Sequence, residues 1–444
     1  MKYLFVACLL CLSVLSAVAK VPAMNKIRLT NNWEYLKGDL GGIWEAVRPA
    51  APGSSEAVPI WQPVTLPHCF NAEDAVDPDV NYYEGPGWYK TLLAIDNPYR
   101  NGRIVLDFDG AGQKTDVYVY TTHVGSHVGG YDSWNVDITD AVKAFLGSKD
   151  AERFKGKVPL SIRCDNSRDL EMIPSDLADF NIYGGLYRYL NLVYLPEVSF
   201  EQIHLESSLS SNLKEGILKV KTSFYNPEDI RKADVTVSVY DVDRKPVFSK
   251  TLEGILPLGD QLLAKMKIKN PVLWDVDVPQ LYTCELTVKT PDQTFTTEER
   301  FGFRHTEFKD KGPFFLNGKR LLLRGTHRHE DHAGVAQAMT EDMMRREMRM
   351  MKDMGVNFIR LGHYQQSEII LDLCDELGIL VWEEIPWCRG GLGGDVYKKQ
   401  ARRMLANMIV QHHNHPAVII WGLGNENDWP NDFNTFDKSA IRAF

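Results

Sequence analysis

The chain predicts two β-sandwiches followed by a β/α domain with parallel strands. With 444 residues it exceeds one ordinary domain. Residues 25 to about 305 alternate short β-branched and aromatic runs with Gly, Asn and Pro turn signals, without a long helical pattern. After Phe308 the grammar changes, and strand-like runs alternate with helix-like ones. Apolar residues make up 44% and charged residues 25%, enough to bury real cores. The net charge of -9 gives no electrostatic support to nucleic acid or an anionic membrane as partner, and suits a neutral substrate.

At the N-terminus, Lys2 precedes an apolar stretch and Ala17-Val18-Ala19, a signal-peptide pattern over residues 1–19 with cleavage near Ala19. An exported protein, periplasmic or secreted, is expected. No segment has the roughly 18 uninterrupted apolar residues of a membrane span. Residues 25–200 carry the runs GRIVLDFDGA, TDVYVYTTHVG, KVPLSIRCDN and YRYLNLVYLP, the first sandwich. Residues 201–305 carry GILKVKTSFYN, ADVTVSVYDVD and LYTCELTVKT, an immunoglobulin-like module; Val235, Val237 and Val239 share one strand face. The β/α domain occupies 306–444. Its strands are KRLLLRGTHRHE, VNFIRLGH, ILVWEEIPW and AVIIWGLGNE. Between them lie three helical patterns, the first opened by Thr340, stopped by Gly355 and striped by Met343, Met344, Met348, Met351 and Met354 as core.

Each of these four strands ends in an apolar-to-polar switch. The tips are His327, Arg328, His329 and Glu330; Arg360 and His363; Glu383 and Glu384; Asn425 and Glu426. In a β/α barrel the C-terminal strand ends converge on one face, where active sites are built. A carboxylate crowded there by other carboxylates is expected to hold its proton more firmly, as a general acid requires. A bland alternative pairs Glu383 or Glu384 with Arg360 as a rim network, and makes His329 a satisfied core histidine. His412, His413 and His415 precede Pro416 on the opposite face and read as structural. The five cysteines beyond the leader, without a CxxC pair, read as buried thiols rather than a disulfide framework or zinc site.

The motifs LLLRGTHRHED, NFIRLGHYQQSEIILDLCDELGILVWEE and WGLGNEND resemble glycoside hydrolase family 2, the β-galactosidase and β-glucuronidase group. Upstream, WQPVTLPH and GPGWYK resemble that family's jelly-roll domain, and DFNIYGGLYRYLNL its loop into the active site. The resemblance implies a jelly-roll β-sandwich, an immunoglobulin-like β-sandwich and a (β/α)8 TIM barrel. It implies a retaining, exo-acting enzyme on oligo- or polysaccharides with a terminal β-linked sugar. β-Galactoside is the expected sugar, with β-glucuronide and β-mannoside as runners-up. Glu426 is implied as proton donor and acid/base, and Asn425 as the partner of the sugar 2-hydroxyl. His329, His363 and Asp179 are implied to line the sugar pocket, and Glu384 either to touch substrate or to orient Arg360. The family's magnesium users carry Glu-x-His after the third strand, where this chain has EEIPWCRGG, so no metal or other cofactor is expected. Where the family often has Asn, this chain has His327.

In this family the nucleophilic glutamate follows on a later strand, and no glutamate follows Glu426 here. The barrel is therefore expected to be present only as its first half, and the chain by itself to be inactive. A rival from another class is a non-catalytic carbohydrate-binding or scaffold protein with a vestigial half barrel. A nucleotide-binding α/β protein is excluded, because no Gly-rich fingerprint joins a strand to its helix. Homo-oligomer formation stays open.

Overall fold

The computed structural model describes residues 26–49, 59–175, 177–227, 232–389 and 393–427. The expected leader, Asp176 and everything from Asp428 onward lie outside the described residues. Among these residues no helix is long and apolar enough to cross a membrane.

Two antiparallel sheets build the first domain. One runs Gln62–Val64, Trp33–Lys37, Pro86–Leu93, Val158–Asp165, Lys114–Val119, Thr122–Val128 in space; the other runs Lys26–Arg28, Leu190–Leu195, Arg103–Phe108, Trp134–Asp137. Alternate residues of both face inward, so Trp33, Leu106, Phe108, Val117, Leu160, Ile162 and Leu192 form one core. The sandwich also carries an eight-residue helix, Thr139–Leu146. The second domain packs a three-stranded sheet against a four-stranded one, beginning with Ser199–Leu209 and closing with Thr294–Phe301. Val235, Val237 and Val239 are fully buried, whereas Thr236, Ser238 and Tyr240 are partly exposed. The period-2 pattern thus maps onto a half-buried strand.

The expected single strand from Lys319 is two. Lys319–Leu321 closes a small antiparallel sheet with Phe314–Leu316, and Gly325–Arg328 opens the parallel one. Asn357 causes the break: its side chain accepts from the Arg324 N–H at 2.8 Å and donates to the Leu322 carbonyl at 3.1 Å, taking backbone groups a continuous ladder would use. At Gly325 a Cβ would lie 2.5 Å from the Phe358 carbonyl oxygen, so only glycine lets the two strands meet there. The parallel strands then follow in chain order: Gly325–Arg328, Phe358–Leu361, Leu380–Glu384 and Val418–Gly422.

Helices Glu341–Asp353, Glu368–Leu377 and Asp395–His412 fill the connections. Thr340 caps the first through the Met343 N–H, and Ser367 caps the second through Ile369. Met344 and Met348 are buried, and Met343 and Met351 pack at the edge of the same core. Met354 is 71% exposed, contrary to the expected stripe. It follows the last helical residue, Asp353, beyond the reach of the core.

The domains meet through buried polar contacts as well as apolar ones. Arg188 of the first sandwich is buried at the barrel, donating to Glu330 at 2.8 Å and to the carbonyls of Tyr131 and Gln365. Asn414, after the third helix, accepts from Leu205 of the second domain at 2.9 Å.

Candidate active site

The four parallel strands place their tips together, and side-chain alternation sorts them. Arg328 and Glu330 turn inward: both are buried, and Arg328 binds Glu347 and Gln366 while Glu330 binds Arg188. His327 and His329 face outward beside His363, with ring centroids 4.6 Å and 5.3 Å from it. Glu383 and Glu384 divide in the same manner. Glu383 accepts from or shares a proton with His412 at 2.8 Å, on the helix side. Glu384 faces the tips.

Glu384 is the hub of this face. Fully buried, it takes the Arg360 guanidinium through both oxygens, at 2.9 Å and 3.2 Å, and His363 Nδ1 at 2.7 Å. A fork-to-carboxylate pair of this kind fixes the guanidinium plane. Arg360 then donates to Asn425 Oδ1 at 2.9 Å, and Asn425 Nδ2 reaches Cys388 Sγ at 3.3 Å. Of the two roles considered for Glu384, orientation of Arg360 is the one the contacts display. The bland rim network is real, but it belongs to Glu384 alone. Asn425 still has one N–H and one lone pair to offer a hydroxyl.

The approach Gly422-Leu423-Gly424 now has a physical reason. Trp387 accepts from the Asn425 N–H at 2.8 Å, and at Gly424 a Cβ would come 2.7 Å from the Trp387 carbonyl oxygen. The Arg389 N–H returns to the Asn425 carbonyl at 3.0 Å, so the loop after the third strand is stitched to the end of the fourth. Glu426 follows with φ of 49°, and its side chain is 46% exposed. Its carboxylate is met at 2.7 Å by Arg389 Nε. The expected crowding by other carboxylates is not the arrangement here: the group against Glu426 is a cation.

Asp179 comes from the first sandwich and crosses to the barrel. Its Oδ1 lies 3.1 Å from Cys388 Sγ, and Arg389 Nη2 lies 3.1 Å from its other oxygen. Burial works to raise its pKa, but the thiol, Arg389 and His363 outweigh burial and hold the carboxyl below the usual range. Burial pushes the Cys388 thiol up to about 11, so it stays a neutral donor. Burial, with the neighbouring imidazoles, lowers His327 and His329 and so favours the uncharged ring in both. Phe180 walls the pocket, its ring 5.8 Å from His329 and 5.0 Å from Tyr364. His329 is not a sealed core residue; it is partly exposed, with Nδ1 3.3 Å from the Tyr364 hydroxyl.

Glu426, Asn425, His329, His363, Asp179, Glu384 and Arg360 are therefore all brought to one face. Cys388, Arg389 and Phe180 were not singled out from the sequence. The sequence carried no clear signal for them, since Ile385, Pro386 and Trp387 separate Cys388 and Arg389 from the Glu383-Glu384 tip. Donor atoms of His327, His329 and His363 lie within 4.8 Å of one another, as do those of Asp179, His363 and Cys388.

Three domain models tile the chain. "Glycosyl hydrolases family 2, sugar binding domain" matches residues 40–196, "Glycosyl hydrolases family 2" matches 198–304, and the TIM barrel domain of that family matches 307–443. The chain belongs to glycoside hydrolase family 2. Among solved structures, the apo form of Bacteroides uniformis β-glucuronidase 3 is 60% identical with a TM-score of 0.90, over 96% of this chain and 53% of that one. A Bacteroides fragilis β-glucuronidase is 32% identical over 82% of this chain and 53% of its own length. A Thermoanaerobacterium thermosulfurigenes β-galactosidase is 30% identical, over 89% of this chain and 53% of its own length. The chain thus spans about half the length of the relatives it matches. For family 2 the resemblance read from the motifs is borne out across all three domains.

Proposed function

We propose that the chain supplies the acid/base half of a retaining exo-β-glycosidase site and the platform that seats the terminal sugar. The observation that carries this is the convergence of Asn425-Glu426, the Glu384-locked Arg360 and His363, and Asp179 from the sugar-binding domain on one barrel face. Glu426 is the proton donor to the leaving oxygen, and Asn425 offers its spare amide groups to the 2-hydroxyl, a contact that strengthens as the oxocarbenium-like transition state forms. Asp179 and the imidazoles of His329 and His363 bind ring hydroxyls. The nucleophilic carboxylate comes from a later barrel strand, as the family resemblance implies.

The sugar is a β-glucuronide, in place of the β-galactoside expected from the sequence. Two observations support this: β-glucuronidase is the name of the 60% and 32% identical relatives, and Arg389 adds a cation to the pocket wall. β-Galactoside is the second reading, carried by the 30% identical relative. The test is hydrolysis of nitrophenyl β-D-glucuronide against the galactoside by protein with a complete barrel. Higher kcat/KM on the glucuronide is expected; preference for the galactoside reverses the assignment.

A further inference from the structure

We propose that His327, His329 and His363 form a transition-metal site at the mouth of the pocket, taking one Zn2+ or Cu2+ ion. Three imidazoles stand on the tips of two adjacent parallel strands, where His327 pairs in register with Arg360. One ring nitrogen from each falls within 4.8 Å of the others. Metal–nitrogen bonds of about 2.0–2.1 Å place tetrahedral donors about 3.3 Å apart, so small side-chain rotations close the set. The rings are open to an ion, since His327 is exposed and His329 partly so, with His363 beneath them.

His363 is already prepared as a ligand. Its Nδ1 is held by the buried Glu384 carboxylate at 2.7 Å, which leaves Nε2 as the nitrogen available to an ion. A carboxylate behind an imidazole fixes the ring and raises its basicity, the usual support of a metal-bound histidine. His363 also belongs to a second donor group, with Asp179 and Cys388. Imidazole with thiol nearby selects zinc or copper and not magnesium or calcium. His327 completes the triad, at the place where the family often carries Asn; without it only two imidazoles remain.

The consequence, which rests on reading this face as the sugar pocket, is mutual exclusion: a bound ion occupies the donors that His329 and His363 would give to the sugar. Metal binding itself is read without any substrate, so it is tested even if the glycosidase reading fails. Purified protein lacking a polyhistidine tag is titrated with zinc chloride by calorimetry. One equivalent is expected to bind, with affinity falling by about tenfold or more in His327→Asn and unchanged in His332→Asn, an exposed histidine outside the triad. No saturable binding, or equal affinity in His327→Asn, overturns the site. Should His327→Asn misfold, the electron paramagnetic resonance spectrum of the Cu2+-loaded parent protein decides: nitrogen coupling supports the site, and oxygen ligation alone overturns it. In protein with a complete barrel, zinc should raise KM for the glycoside; inhibition that leaves KM unchanged defeats the exclusion.

Discussion

At Glu426 the decisive feature is the partner. Arg389 Nε sits 2.7 Å from its carboxylate, and the same guanidinium lies 3.1 Å from Asp179. In the role proposed for it, Glu426 must exchange that contact for the glycosidic oxygen when substrate enters. In protein with a complete barrel, Glu426→Gln should cripple poor leaving groups far more than activated aryl glycosides, which need little acid assistance. Azide should partly rescue the latter; equal loss on both, without rescue, removes Glu426 from the role. Asp179 reaches across a domain boundary on a loop, the usual carrier of grafted binding groups. Asp179→Ala should lower kcat/KM by about 1.5–3 kcal/mol, the range for a hydrogen bond to a charged group. Kinetics unchanged within about twofold would reduce the loop to scaffolding. The strand-tip residues were legible because alternation and position alone mark them. Arg389 and Phe180 were not, because they lie in irregular loops where no period tells a pocket residue from a surface one.

At the scale of elements, periodicity located the helices and strands but not their edges. The methionine stripe shows why. At about 100° per residue, Met344, Met348 and Met351 stay within a narrow arc, while Met354 falls roughly 80° from Met344 and beyond the last helical turn. A neighbour is needed to bury a side chain, and the sequence pattern does not say where neighbours stop. Met344→Ala should therefore cost about 2–5 kcal/mol by opening a cavity in the core cluster it shares with Leu371 and Ile359. Met354→Ala should change stability by no more than about 0.5 kcal/mol. Thermal or denaturant melts compare the two, and equal losses would contradict the packing described. The strand break at Arg324 was hidden for a related reason: an apolar run looks continuous until a side chain such as Asn357, 33 residues away, takes its backbone groups.

At the scale of the molecule, the first sandwich is part of the site and the second braces the barrel behind it. The first sends Asp179 and Phe180 into the pocket and Arg188 onto Glu330; the second grips the end of the third barrel helix. None of these contacts between domains was legible from local patterns, apart from the loop suggested by the family resemblance. The second grip should be acid-labile. His413 lies against His204 with ring centroids 3.7 Å apart. Burial first, then His204 and more weakly Arg304, lowers His413 to about 4, against the raising influence of Glu206 and the Leu205 backbone. An unfolded chain binds this proton near pH 6.5 and the folded one only near 4, so stability rises with pH across that window. The contribution is present above about pH 6.5 and fades as pH falls, by about 2 kcal/mol at pH 4.5. His413→Gln removes the titration while keeping a polar side chain of similar reach. The fall in thermal midpoint between pH 7 and 4.5 should therefore be shallower in His413→Gln than in the parent. Parallel pH profiles for the two proteins would place the acid sensitivity elsewhere, first at His68, which burial also lowers to about 4.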